Sequence, residues 1–295
     1  SLVVGKTKFM TESAPIYKAM PDLDLRGYAF QADPADPSVV WFKLRPEGSI
    51  SEPFVFNGEV YAPSILKGVE FPVETGSVKV TSSGKVTRLT TGYVADRLTG
   101  NTNGLTGTNG ILSALGQTPA GFTTLPVAFA IKKFFGRNRR PVNLGRREPP
   151  LPAPVMISLA KQLLATRYGA DDPSLLARNF VFSGPYELPM SKDEYLRDAE
   201  RLTGYFNAPG FDAGAFNFVI DEFDANRVWL TLRASATGYT SAPEAVSLSF
   251  DDEGLCFKAT AGYVADRESG NTDGLGGAAG FQASQGQAPS LLAAR

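Results

Sequence analysis

Histidine is absent from the 295-residue chain, and cysteine occurs once, at Cys256. The first absence removes the commonest general base near neutral pH, the commonest zinc ligand and every Ser-His-Asp or Cys-His device. The second rules out a disulfide framework or a thiolate metal cage within one chain. Cys256 sits in "EGLCFKAT", which alternates as a strand does, and it reads as a small packing side chain. Any chemistry must therefore run on carboxylates, Tyr, Lys or Arg, and no cofactor or metal is expected. Long hydrophobic runs are missing too: the best, "AGFTTLPVAFAI" at 120–131, is broken by Pro126 and falls short of the roughly 18 to 20 residues that span a bilayer. The chain is thus expected to be soluble or peripheral to a membrane. Excess charge of one sign is also lacking. With a net charge of −1, nothing global points to nucleic acid, and an electrostatic partner must be sought in a local patch. The start at Ser1, without Met or a charged-then-apolar leader, fits a removed targeting segment and a shortened sequence equally.

What is present in quantity is repetition. "GYVADRLTGNTNGL" at Gly92–Leu105 returns as "GYVADRESGNTDGL" at Gly262–Leu275, an offset of 170 with three letters changed. The same offset matches Glu74 with Glu244 and Gly84 with Gly254. Further upstream the offset becomes 188, matching Trp41 with Trp229 and Arg45 with Arg233, so the first copy carries 18 extra residues around "SEPFVFNGEVYAPSILKGVE". The period is domain-sized, far too long for a solenoid, and it predicts two domains built on one plan. The expected layout is a first domain at 1–125, a basic Pro-rich linker at 126–152 and a second domain at 153–295.

Within a copy the later half reads as strands. "AFNFVI", "RVWLTLRA", "AVSLSF" and "LCFKATAGYVA" are β-branched or aromatic, partly alternating and separated by turn residues such as "DDEG". The earlier half reads as helices. "PAPVMISLAKQLLATRYG" spaces Met156, Leu159, Ala160, Leu163 and Leu164 by three and four, with Pro154 suited to the first turn and Gly169 to the stop. "SKDEYLRDAERLTG" opens on a capping box, Ser191 with Glu194. Helices followed by a run of antiparallel strands predict an α+β domain with helices on one face of a curved sheet.

This order, with the Trp-containing "VWLTLRASATG" and then "DDEGLCFKATAGYVAD", resembles the nuclear-transport-factor-two-like superfamily, in particular its SnoaL-like polyketide-cyclase branch. Gly84-Lys85-Val86 running to Asp96, and Gly254-Leu255 running to Asp266, fit that family's last strand. The resemblance implies two cone-like domains, each a bent sheet wrapped by helices around an apolar pocket. It extends to tandem domains of algal proteins that carry the same phrase after the last strand, which implies a plastid location. The superfamily hosts enzymes, ligand binders and interaction modules, so it implies fold more than function. Two departures matter. The position where SnoaL-like enzymes often carry His is filled by other residues in "EGSISEP" and "SATGYTS". The first copy also begins near the point matching "SGPYELPMS" and is expected to lack its leading helix, leaving an apolar sheet face for another segment or subunit to cover.

The repeated phrase supplies the candidate site. Asp96 and Asp266 could serve as acid or base, with Tyr93, Tyr263, Arg97 and Arg267 stabilising negative charge, and Asn101 and Asn271 could bind a ligand beside the two arginines. The structural alternative is a strand exit in which Asp pairs with Arg and Asn bonds its own backbone. Glu74 and Glu244, matched on the sheet, are expected to be solvated or salt-bridged. The glycines after the phrase lack the strand, helix and Lys context of a phosphate loop and read as close backbone packing. In the linker, Lys132, Lys133, Arg137, Arg139, Arg140, Arg146 and Arg147 surround Phe134 and Phe135, a cation-aromatic block suited to an anionic membrane surface or an acidic partner, with a solvated linker as the alternative. RNA binding is not expected, because no stacking module accompanies it. Together these features favour a non-catalytic assembly subunit that meets other protein subunits, such as a photosynthetic membrane complex. The alternative is a SnoaL-like enzyme or binder of an apolar cyclic or isoprenoid ligand.

Overall fold

The computed structural model describes residues 3–63, 68–117, 148–185, 189–201 and 212–286. The cation-aromatic block at 132–147 lies outside the described residues.

The first unit opens with α1 (Lys6–Ala19), followed by β1 (Gly27–Ala32), β2 (Val39–Leu44), β3 (Glu47–Gly48), the short strands β4 (Phe54–Phe56) and β5 (Glu59–Tyr61), then β6 (Val69–Glu70), β7 (Val73–Val80), β8 (Val86–Asp96) and α2 (Gly107–Ala114). Its main sheet is antiparallel in the order β1-β2-β7-β8. The β4–β5 hairpin falls within the stretch that holds the 18 extra residues of this copy, and Phe54 from it is buried with Ala19, Met20, Ile50, Phe71, Ile111 and Leu112 in a small core under α1 and α2.

The second unit contains α3 (Ala153–Ala165), β9 (Leu176–Ser183), β10 (Met190–Ser191), α4 (Lys192–Arg201), β11 (Asp212–Ile220), β12 (Arg227–Ala236), β13 (Tyr239–Thr240), β14 (Glu244–Phe250), β15 (Cys256–Val264) and α5 (Gly277–Ser284). The anticipated capping box is made: Glu194 Oε2 accepts from Ser191 N at 2.8 Å and from Ser191 Oγ at 2.7 Å. The sheet runs β10-β9-β15-β14-β12-β11, antiparallel except that β9 lies parallel to β15. Met156, Leu163, Phe180, Val228, Leu230, Val246, Leu248, Phe250 and Cys256 fill the core between sheet and helices. Burial pushes the Cys256 thiol up to about 12, so it is an inert packing group.

The two units are one α+β plan repeated in detail. β1 and β11 carry the same bulge, at Tyr28/Gln31 and at Phe216/Val219, with Ala29 and Asn217 in the left-handed region at φ 56° and 57°. Asp33 caps the following turn at Ala35 N and Asp221 does so at Phe223 N, while Trp41 Nε1 and Trp229 Nε1 donate to those same carboxylates. Across β7/β8 and β14/β15 the hydroxyl pairs Ser77–Thr90 and Ser247–Thr260 share hydrogen bonds of 2.8 and 2.7 Å.

One difference between the copies is large. In the second unit β9 lines β15 and α3 lies over β11 and β12. In the first, β8 is the outer strand of its sheet, hydrogen-bonded to β7 among the described residues and facing β15 of the second unit, and α1 packs chiefly on β4 and α2.

Candidate functional site

The remaining sheet faces of the two units meet each other. Tyr28, Val73 and Ala95 of the first copy and Trp229, Ala245 and Tyr263 of the second form a single buried cluster. Because both surfaces derive from one ancestral sequence, the contact is close to isologous: a residue and its counterpart exchange roles across the boundary.

The phrase residues show this most directly. Arg88 Nη2 donates to Asp266 Oδ1 at 2.7 Å, and its counterpart Lys258 Nζ donates to Asp96 Oδ2 at 2.7 Å. The expected Asp–Arg pairing thus exists, but it runs between copies and not to the adjacent Arg97 or Arg267. Asp96 is fully buried and also faces Arg227 Nη1 at 3.2 Å. Burial alone would raise its pKa, but Lys258 and Arg227 outweigh that and hold it below the usual carboxylate range. Lys258 is pulled below its ordinary value by burial, with Asp96 opposing. Arg97 Nη1 donates to Pro185 O of the other unit at 2.8 Å, and Tyr263 Oη donates to Gly184 O at 3.2 Å. Asp33 and Arg233, separated by 200 positions in the chain, pair at 2.6 Å.

Asn101 and Asn271 act as matched staples. Asn101 Oδ1 accepts from Glu70 N and its Nδ2 donates to Gly68 O; Asn271 Oδ1 accepts from Thr240 N and its Nδ2 donates to Gly238 O. Gly100 and Gly270, at φ 72° and 78°, let this turn press on the neighbouring chain, since an added Cβ would stand 2.5 Å from Glu70 O or Thr240 O. Tyr93 lies on β8 opposite Thr75, and the side chain of Arg267 passes beside Gly274. The eight phrase residues are therefore spread over an interface and two turns, with their polar atoms turned largely to protein partners.

Glu74 and Glu244 correct the expectation of a solvated or salt-bridged edge position. They sit on inner strands of their sheets and are 5% and 2% exposed, with no cation paired to either among the described residues. Glu74 accepts from Gly92 N and from the Thr106 hydroxyl, and Glu244 accepts from Gly277 N at 2.8 Å. Burial raises both to about 7. Each carboxyl ties its sheet to the segment after the phrase. Burial holds the Tyr168 phenol well above its ordinary value, with the fields of Glu244, Tyr195 and Tyr239 adding to it.

Lys43 is the residue that sequence reasoning missed. It occupies a solvent-like position in "VVWFKL", yet it is buried between the units, donates to Thr75 Oγ1 at 3.3 Å and lies 4.8 Å from the centre of the Trp229 ring. Burial lowers it to about 7, against the pull of Asp221. The cavity beside it, lined also by Trp41, Asn217 and Thr231, has a volume of about 10 Å³, room for one water and not for a substrate.

No family model matches the sequence, and no curated protein matches it. Many of the solved structures that it resembles are nuclear-transport-factor-two-like or SnoaL-like proteins. A steroid delta-isomerase from Pseudomonas aeruginosa also matches, 18% identical over 45% of this chain and 86% of that one at a TM-score of 0.32. A putative isomerase of the SnoaL-like family from Agrobacterium tumefaciens is 17% identical over 37% and 96%, at 0.28. A putative SnoaL-like polyketide cyclase from a Jannaschia species is 10% identical over 42% and 90%, at 0.29. Among the described residues no helix is long and apolar enough to cross a membrane.

Proposed function

We propose that this chain is a non-catalytic assembly subunit, in which two copies of one domain are locked together to present their outer surfaces to other proteins. The observation that carries this reading is the use made of the repeated phrase. Its carboxylates Asp96 and Asp266 are engaged by Lys258, Arg227 and Arg88 across the boundary, and Arg97 is engaged by a backbone carbonyl of the sister copy. A general acid or base must be free to reach a substrate proton, whereas a carboxylate held between two buried cations gains nothing from exchanging it. The finer parts of the proposal, attachment to an anionic face of a plastid membrane complex through the cation-aromatic block at 132–147, are supported by sequence composition and by the algal resemblance.

Gentle isolation of the native protein, sizing and mass spectrometry of whatever co-elutes tests this. Stoichiometric co-elution with other subunits is expected; a stable, monodisperse monomer without a partner would overturn it. A second reading, a binder of a small apolar ligand, is favoured by Glu244, a buried carboxyl of the second unit raised to about 7 by burial, whose field reaches the Tyr168 phenol. A small molecule retained by the purified chain and lost in Glu244→Ala would favour it over the first.

A further inference from the structure

The second unit shows what the sheet of the first is built to carry. β9 runs parallel to β15 with Cys256 opposite Leu176, Lys258 opposite Val181 and Ala259 opposite Phe182, while α3 covers β11 and β12. Under that cover Cys256 is 0% and Ala259 1% exposed. Their counterparts at the offset of 170, Val86 and Leu89 on β8, are 60% and 44% exposed. The aromatic positions tell the same story at the offset of 188. Phe218 packs against the core of the second unit with Lys161 Nζ 5.3 Å from its ring centre, whereas its counterpart Phe30 is 61% exposed. Phe30 lies 5.6 Å from Phe42, and Phe42 rests on Gly76, where a Cβ would meet its ring at 2.7 Å. Among the described residues β8 has no second strand partner, and a strand edge open in this way and continuous with an apolar face is a template for strand addition.

We propose that β8 and the Phe30–Phe42 face form the docking surface for a partner polypeptide that supplies an amphipathic helix followed by a strand, the strand adding in parallel along 86–90. This rests on the assembly reading above and names the surface that it uses. The sister copy specifies the partner's chemistry. Its helix turns small and aliphatic residues inward, as Met156, Ala160 and Leu163 do, and carries a basic residue over Phe30 in the manner of Lys161 over Phe218. Phe30 is the anchor, being large, central and free to be desolvated.

Hydrogen exchange by mass spectrometry on the full chain tests this, with a synthetic peptide of residues 153–183 as the probe, since that segment is the cover the sister sheet wears. In the free chain, amides at 86–91 exchange at least about 100-fold faster than those at 256–261. Excess peptide slows 86–91, and Leu89→Asp, a change at an exposed position, weakens that protection by about tenfold or more. Three results overturn the proposal: 86–91 already protected in the free monomer, which means the chain covers itself; protection that appears only on self-association, which means a second copy does; or no protection by the peptide. If native subunits co-elute while 86–91 stay unprotected in that complex, the assembly reading survives and this surface falls.

Discussion

Lys258 Nζ reaches Asp96 Oδ2 at 2.7 Å although 162 positions separate the two residues in the chain. The same two sites, read in the other copies, are Arg88 and Asp266, and they make the same bond. A duplicated domain that binds its own duplicate must find such paired solutions, because each surface is both lock and key.

The two bonds are chemically alike but energetically unequal. Asp96 and Arg227 are buried, and Lys258 is largely so, while the Arg88 side chain is 45% exposed. Asp96→Asn leaves the buried Lys258 without its countercharge and takes one of two paired carboxylates from Arg227, which keeps Asp224, and is expected to cost about 3–5 kcal/mol. Asp266→Asn, whose partner can turn to water, is expected to cost about 0–1 kcal/mol. Urea unfolding of the two variants gives the comparison, and equal losses would contradict it.

Among the described residues no carboxylate is bonded to Lys43, and burial lowers it to about 7 from 10.5. A depressed folded-state value means that its contribution to stability is full above about 10.5 and is lost as pH falls through about 7. Lys43→Met, similar in shape and apolar, should raise stability at pH 7 by about 1–4 kcal/mol and flatten the rise in Tm between pH 7 and 10. Thermal melts across that range decide it.

Glu244 shifts in the opposite sense, raised from 4.5 to about 7 by burial. The folded protein holds its proton longer than the unfolded chain does, so the associated stability is present below about 4.5 and is lost as pH rises through about 7. Glu244→Gln imitates the protonated acid and should remove this loss, stabilising the protein above pH 7 by up to about 3 kcal/mol at about 1.4 kcal/mol per pH unit. Melts at pH 5 and pH 8 read the difference; a variant less stable at both would contradict the assignment.

Gly270→Ala tests the phrase as a packed turn. At φ 78° the alanine is strained, and its Cβ would stand 2.5 Å from Thr240 O and 2.6 Å from Ala242 N, both backbone atoms that cannot swing aside. A loss of more than about 1 kcal/mol is expected, with a similar loss for Gly100→Ala. The control is Gly84→Ala, also at positive φ (76°) but with open space around it, which should cost less.

Much of this architecture was legible in the sequence. The strands of the second unit follow their alternating apolar letters, and the repeat by itself announces a second copy. The strand β9 is not legible in the sequence, because "LARNFVFS" follows a helical run and its longer partner, β15, joins it in parallel from about 80 residues away. The contact between copies was missed for a related reason. In β14, Val246, Leu248 and Phe250 read as core, and Ala245, Ser247 and Ser249 read as a solvent face, yet every residue of the strand is buried. Small residues on a strand's second face admit close sheet-on-sheet approach, and here that was the only trace of the interface. Lys43 was hidden by the same alternation. The phrase itself was recognised as significant, but letters alone do not say whether a retained Asp holds a substrate or a lysine of its sister copy.

The central claim is that the phrase joins the two copies, and a double-mutant cycle on Asp96 and Lys258 tests it most directly, using Asp96→Asn, Lys258→Met and the pair in urea unfolding. The account predicts a coupling energy of about 1–3 kcal/mol and a single cooperative transition for the wild type. Additive losses, or two separate transitions in the unmutated protein, would show that the copies fold and act independently and would contradict it.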